Sequence, residues 1–503
     1  MISRPGVQKL RASLDASVAE GAAAEVFGTC AGGTILTGWA LYLGASPFVI
    51  GLLGALPLAA QVVQLPAAWL TQRLGAKRLA VLAIGASRLV WLPLAVLPFL
   101  HLRTGTALAL LIAVIGAAAI FGVVGNNAWT AWMGELVPGA IRGRFFSRRM
   151  VYLSISGTVT SLGAGLALDM LGPRGWHGET LAALAAVACA AAVASICLLL
   201  RQEDPGRGEE RPAPAWREVA QVLRDPSARP FLGYLLAWHV AVGLSASFFS
   251  FHMLANLKMG FVLAAAHGIA VCVVRIVAAP AWGRIVDRFG ARPVLVVCSF
   301  GITLVPAIWL FPTPERLWPI ALEAVVSGAL WSGHGIAGFD LSIGLSPRKA
   351  RPFYLATFAT ACGLGFAASS ILAALLADAL TAPLHLLGSS WSNIHVLFLL
   401  SALGRAGAAV LALRIDEPAA RGVSELVRVI VTVPRAWSRH LKAAINSSNA
   451  TIWPPRVDDG TRMTVFTPVA RHASTPSRTS LALPNSVTSL SQRSDIVAIS
   501  SRS

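Results

Sequence analysis

The chain is dominated by apolar runs, each long enough to cross a lipid bilayer, separated by short polar segments. A membrane-spanning helix needs about 20 largely apolar residues. Runs of that kind recur at 21–43, 47–71, 78–101, 106–134, 148–170, 178–200, 230–254, 260–283, 291–312, 317–343, 352–378 and 393–413. Inside a bilayer every backbone N–H and C=O must be satisfied within the protein, so only helices and closed barrels cross it. A barrel would show alternating segments of about ten residues, and this chain has none. The expected fold is therefore an all-α membrane protein with twelve transmembrane helices. Composition agrees: 55% of the 503 residues are hydrophobic and 13% charged, against about 25% charged in soluble domains, and the mean hydropathy is +0.67.

Charge placement sets the expected orientation. The loops after the even-numbered spans carry Arg73, Lys77 and Arg78; Arg142, Arg144, Arg148 and Arg149; Arg201 to Arg229; Arg284, Arg288 and Arg292; and Arg348, Lys349 and Arg351. The loops after the odd-numbered spans hold only Arg103, Arg174, Lys258 and Arg316. Basic residues stay on the cytoplasmic side, which places both termini there. The net charge of +18 is thereby explained by the membrane, and no nucleic-acid partner is expected. The first twenty residues lack the apolar core of a cleavable leader, so the first run reads as a retained helix. Cys30, Cys189, Cys197, Cys272, Cys298 and Cys362 fall inside apolar runs without a C-x-x-C pair. They read as small buried hydrophobes, with no disulfide and no metal site expected.

Four regions follow: residues 1–200, a polar central loop 201–229, residues 230–415, and a basic, Ser/Thr-rich tail 416–503 expected to be disordered beyond Asn446. Residues 422–445 read equally as a basic amphipathic segment on the inner leaflet or as loose tail. Internal landmarks point to duplication of a six-helix unit. The segment Gly283-Arg284-Ile285-Val286-Asp287-Arg288-Phe289-Gly290-Ala291-Arg292 joins two spans, with glycines suited to a tight turn. Ala68 to Arg78 is its weaker copy, keeping Arg73, Gly75 and Arg78 but carrying Gln72 in place of the acid. Pro138 precedes Arg142 by four residues, as Pro347 precedes Arg351, and both arginines stand before an aromatic pair.

On these motifs the chain resembles the major facilitator superfamily over roughly residues 15–415. Gly283, Asp287, Arg288, Gly290 and Arg292 match its loop signature, and Glu135, Pro138, Arg142 and Gly143 match the spacing after the fourth helix. The resemblance implies two pseudo-symmetric six-helix bundles rocking around a central cavity, in a multi-pass protein of the inner or plasma membrane. It implies a monomeric secondary transporter for a small organic solute, with proton coupling and uniport both open and no other cofactor. The cytoplasmic motifs would form a latch in which Asp287 and Glu135 accept hydrogen bonds from Arg288, Arg142 and Arg144, with Arg351 as the second-half counterpart. The first, fourth, seventh and tenth helices would line the cavity. They contribute Thr34, Thr37 and Trp39; Asn126, Asn127, Trp129 and Trp132; Trp238 and His239; and Trp331 and His334. Arg88 and Arg275, ionisable residues at membrane depth, read equally as internally paired or as functional candidates; Arg405 reads as structural.

Two other classes stand as alternatives. A membrane-embedded enzyme would need a catalytic acid, base or metal cluster, and the sequence shows none. A receptor or scaffold on a transporter-like fold would use the long tail as its docking element. No phosphate-binding loop occurs, which disfavours direct ATP drive.

Overall fold

The computed structural model describes residues 4–138, 141–204, 222–347, 350–380, 384–386, 389–418 and 420–429. The tail beyond residue 429, most of the central loop, Arg348 and Lys349 lie outside the described residues, as do the expectations placed on them.

The described residues form α1 (Arg4–Ala31), α2 (Gly33–Tyr42), α3 (Pro47–Ala59), α4 (Gln64–Leu74), α5 (Ala76–Leu89), α6 (Thr104–Leu136), α7 (Arg142–Leu171) and α8 (His177–Arg201). The second half gives α9 (Arg229–Phe251), α10 (Gly260–Phe289), α11 (Ala291–Ile302), α12 (Leu304–Ile308), α13 (Trp318–Gly344), α14 (Arg351–Ala379) and α15 (Asn393–Ala412). Between α14 and α15 the expected all-helical pattern gives way to an antiparallel pair, β1 (Leu384–Leu386) and β2 (Ser389–Trp391), with Leu384 opposite Trp391.

Among the described residues, ten helices are long and apolar enough to cross a membrane, eleven if the bent pair Pro47–Val63 and Pro66–Leu74, angled by 57°, is one span. The sequence led to twelve. The difference lies in the first expected span, 21–43, which is divided between α1 and α2. Its cause is local: Gly32 is extended at φ −127° and ψ −170°, and Gly33 takes φ +51°. A left-handed conformation at Gly33 suits glycine and ends the helical ladder. The second bend falls where Pro57 sits inside α3 and Pro66 inside α4, since proline removes a helical hydrogen bond.

Helices pack in a network rather than as separate hairpins. In the first half α1 lies along α7 and α8, and α5 along α6. In the second, α9 lies along α14 and α15, and α10 along α13. The two halves meet where α3 runs along α14 and α7 along α10. Trp39, Trp132, Trp238 and Trp309 are among the largest fully buried side chains. Val159 on α7 and Val273 and Val277 on α10 are exposed apolar residues, the pattern expected where lipid replaces water around the protein.

Candidate functional site

The break in the first span opens a cavity of about 230 Å³ between α1, α2, α7 and α10. Its walls carry Glu25 and Thr29 from α1, Thr34 from α2, Ser161 and Gly165 from α7, and Phe261 and Ala265 from α10. A second cavity of about 390 Å³ lies beside it, walled by Leu41, Asp169, His177, Lys258 and again Phe261. Phe261 is thus the shared wall of the two cavities. It is held closely: a Cβ at Gly38 would come within 2.9 Å of its ring, and one at Gly165 within 3.0 Å of its backbone. Substituting either glycine would push the plug out of its seat.

The same corner is pinned by a carboxylate. Asp169, near the end of α7, accepts the backbone N–H groups of Phe261 and Val262, each at 2.8 Å. These are the orphan donors of the first turn of α10, and a negative charge there is favoured by the helix dipole. The pseudo-equivalent contact joins the other two facing helices. Asp378, near the end of α14, accepts from the N–H of Phe48 at 3.2 Å and from the Ser46 hydroxyl at 3.4 Å, at the start of α3. Ser370 also donates to the carbonyl of Gly51 at 3.0 Å. Both aspartates lie at the ends of α3 and α10 remote from the arginine-rich turns at Gly75 and Gly290.

Those turns have the conformation their glycines permit, with φ +87° at Gly75 and φ +93° at Gly290. What holds the Gly290 turn came from beyond the motif. Glu417, after the last helix, accepts the N–H of Ala291 at 3.2 Å and of Arg292 at 2.6 Å, so it caps α11. Arg292 in turn donates to the carbonyl of Leu413 at 2.9 Å, and the N–H of Arg421 bonds the carbonyl of Phe289 at 2.8 Å. Asp287 and Arg288 are exposed at the end of α10, with Arg288 5.6 Å from the Phe289 ring. In the first half, Lys77 donates to the carbonyl of Gln202 at 2.5 Å, Arg73 stacks 4.1 Å from the Trp69 ring, and Arg78 is exposed. Arg142 donates to the carbonyls of Gly134 and Val137, at 2.8 and 3.2 Å. Glu135 and Arg144 are exposed, and Arg351 is partly buried.

Of the interior candidates, Thr34 lines the first cavity. Thr37 bonds back to the carbonyl of Gly33 at 3.3 Å, and Trp39 is fully buried. Asn127 accepts from Thr71 at 3.3 Å, whereas Asn126 is exposed. Trp132 donates to the carbonyl of Glu203 at 3.0 Å. In the second half, His334 shares a hydrogen bond with the Tyr234 hydroxyl at 2.7 Å. Trp238 stacks on His334 at 4.8 Å and Trp331 meets it edge-on at 5.2 Å. His239 donates to the carbonyl of Leu235 at 2.8 Å. Arg275 has an exposed side chain, and its carbonyl accepts from Ser332 at 3.0 Å. These four-helix candidates thus fall into separate clusters, of which only Thr34 touches the cavity at the break.

Arg88 belongs to a buried network that the sequence reading missed. Glu20, 1% exposed, accepts from Arg149 at 2.7 Å, Ser195 at 2.8 Å and Arg88 at 3.3 Å. Arg88 also donates to Ser195, and Arg149 stacks 4.5 Å from the Trp129 ring. Glu20 stands one residue before the expected first span, and Arg149 was counted with a loop. Helices α1 and α7 continue past those limits, which brings both charges inside. Glu323 is buried in the second turn of α13 and meets His267 of α10 at 2.6 Å. Arg405 is buried and donates to Ser245 at 3.0 Å. Glu417 did have a sequence signal: Arg-x-x-acid-Pro occurs at 201–205 and again at 414–418.

Among the described residues, no group of three or more His, Cys, Asp or Glu could hold a metal. Comparison with known proteins extends the picture. No protein of curated function matches the sequence. The nucleoside transporter NupG, solved as a point mutant, superposes with a TM-score of 0.62 at 14% identity, over 81% of this chain and all of that one. The D-xylose-proton symporter superposes at 0.62 with 12% identity, over 81% of this chain and 98% of that one. The inward-open xylose transporter XylE from E. coli gives 0.59 at 13% identity, over 82% and 99%. The Major Facilitator Superfamily profile matches residues 22–320 and 263–466, and on that match the chain belongs to the Major Facilitator Superfamily of membrane transporters.

Proposed function

We propose that the chain is a secondary transporter that moves a small organic solute across the membrane by alternating access. The carrying observation is the cavity at the Gly32–Gly33 break, separated by Phe261 from a second cavity beside Asp169. Repeat-built transporters bind substrate near the midplane between their repeats, at discontinuous helices. Residues 1–200 and 230–415 would form the two rocking bundles, and the central loop would join them. The arginine-rich loops would face the cytoplasm. The Asp169 and Asp378 contacts would then close the outer face, with release leading inward. When that face opens and the inner one closes, Asp287 and Glu135 would pair with arginines of the facing loops. Proton coupling is supported by the symporter relative, and the His267–Glu323 pair is the group best suited to carry the proton.

Accessibility labelling tests the mechanism directly. In a variant whose six native cysteines are replaced by serine, Thr34→Cys is exposed to an impermeant maleimide from either side of oriented proteoliposomes. Labelling from the arginine-rich side is expected in the parent. Adding Asp169→Asn and Asp378→Asn should move labelling toward the opposite side. Labelling confined to one side in both proteins rejects alternating access.

A further inference from the structure

The cavity at the helix break offers acceptors and a carboxylate, and among the described residues its walls include no Lys, Arg or His. Glu25 lines it, seated against α7 where a Cβ at Gly157 would lie 3.0 Å from its Oε1. Among the described residues, no donor is hydrogen-bonded to this carboxylate. The cation whose field reaches it is Arg149, and Arg149 is already committed to Glu20 at 2.7 Å, to the carbonyl of Ser17 at 3.3 Å and to the face of Trp129. An uncompensated carboxylate at membrane depth is costly and calls for a partner. α1 ends at Ala31 in the same wall, and its last four carbonyls have lost their helical donors. They carry the negative end of the helix dipole. Gly32 is extended and Gly33 left-handed, which interrupts the helix there, and Gly28, Thr29, Gly32 and Gly33 all line the cavity.

The remaining walls join the apolar Ile35 and Ala265 to the hydroxyl-bearing Thr29, Thr34 and Ser161. A volume of about 230 Å³ is far larger than a single dehydrated metal ion requires, and one carboxylate is fewer anionic ligands than a dedicated divalent site commonly supplies. A carboxylate without a donor, beside carbonyl and hydroxyl acceptors, suits a desolvated ammonium head that brings both the charge and N–H donors. Resting on the transporter reading above, we infer that this cavity takes the cationic head of an organic ammonium solute. Glu25 supplies the counter-charge and the end of α1 the acceptors. Thr29, Thr34 and Ser161 can each accept or donate one further hydrogen bond, which would orient the solute's polar substituents.

The test uses the full-length protein in lipid nanodiscs and benzylammonium chloride as probe, with benzyl alcohol, sodium benzoate and sodium chloride as controls at matched ionic strength. Calorimetric titration should give saturable binding of the ammonium probe alone. Glu25→Gln should weaken it at least tenfold, Glu25→Asp by only a few-fold, and Glu179→Gln, on an exposed position, not at all. Equal binding of benzyl alcohol or benzoate overturns the inference, and so does a sodium chloride response of the same size, which would assign the site to a metal ion. If Glu25→Gln does not fold, protection of Thr34→Cys from maleimide decides: the ammonium probe should slow labelling and benzoate should not, and equal protection by both overturns the proposal. Absence of ammonium binding with access still alternating removes the solute class and keeps the transporter. Ammonium binding with access fixed on one side removes the transporter reading instead.

Discussion

The carboxylate of Asp169 receives the backbone N–H of Phe261 at 2.8 Å, tying the end of one span to the start of another 92 residues away. Phe261 is also the wall between the two cavities. One contact therefore fixes both the approach of the two helices and the position of the plug. Asp378 and Phe48 repeat the arrangement between α14 and α3 at 3.2 Å.

Removing these caps should bias the conformation rather than unfold the protein. Charge-assisted hydrogen bonds contribute roughly 1.5–3 kcal/mol each. Asp169→Ala, which removes two such bonds, is expected to shift the population away from the closed corner by at least tenfold, with 1.4 kcal/mol corresponding to that factor. Asp169→Glu, longer by one methylene, should fall between. Spin labels introduced on α7 and α10 near this end would report the change as a longer distance component, and an unchanged distance distribution would contradict the role assigned here.

Glu20 should behave in the opposite way, as a determinant of stability. It joins Arg88, Arg149 and Ser195 inside the first-half bundle. Breaking a buried charge network by removing one partner leaves unpaired charge and costs about 3–5 kcal/mol. Glu20→Gln is expected to lower the midpoint of thermal unfolding strongly in detergent, with Glu20→Asp intermediate. A wild-type melting curve for Glu20→Gln would rule out this account.

Glu417→Ala removes the cap of α11, where the carboxylate meets the N–H groups of Ala291 and Arg292. Loss of a helix N-cap costs about 1 kcal/mol. Hydrogen exchange at Ala291 and Arg292 should accelerate about fivefold while amides in α13 stay unchanged. Uniform acceleration throughout the second half would mean that Glu417 acts on global stability instead.

Asp225 supplies a pH test outside the spans. A hydrogen bond from the Tyr354 hydroxyl at 2.6 Å, together with the N–H groups of Ser227 and Ala228, holds its carboxyl below the usual aspartate range. The folded pKa is depressed, so the stabilisation is present above the unfolded value of about 3.9 and lost as pH falls through the folded value. Asp225→Asn should thus cost about 1 kcal/mol near neutral pH, after allowance for solvent screening, and progressively less below about pH 4. A difference between variant and parent that is constant from pH 7 to pH 3 would exclude the linkage.

What was legible in the sequence was whatever depends on neighbouring residues. Hydropathy is a local property, so the apolar runs and the membrane class could be read from composition along the chain. The turn at Gly290 was legible because its glycine spacing and its charges are contiguous. The Gly32-Gly33 pair was visible too, but one apolar run gave no sign that the chain would bend there, since glycine permits a break without requiring it.

Only the tertiary structure decided which polar groups meet. Glu20 and Arg149 lie 129 residues apart, and their pairing depends on α1 and α7 extending beyond the apolar runs that marked the spans. Asp169 and Asp378 belong to no motif in the sequence, and their roles come from the start of a distant helix packed against each. The cavity beside Glu25 is lined by residues of α1, α2, α7 and α10, which only the packing brings together. The physical reason is the same in each case: transfer into the bilayer is governed by the apolar content of each segment, which the sequence states, whereas the partner of a buried charge is chosen by helix packing, which it does not.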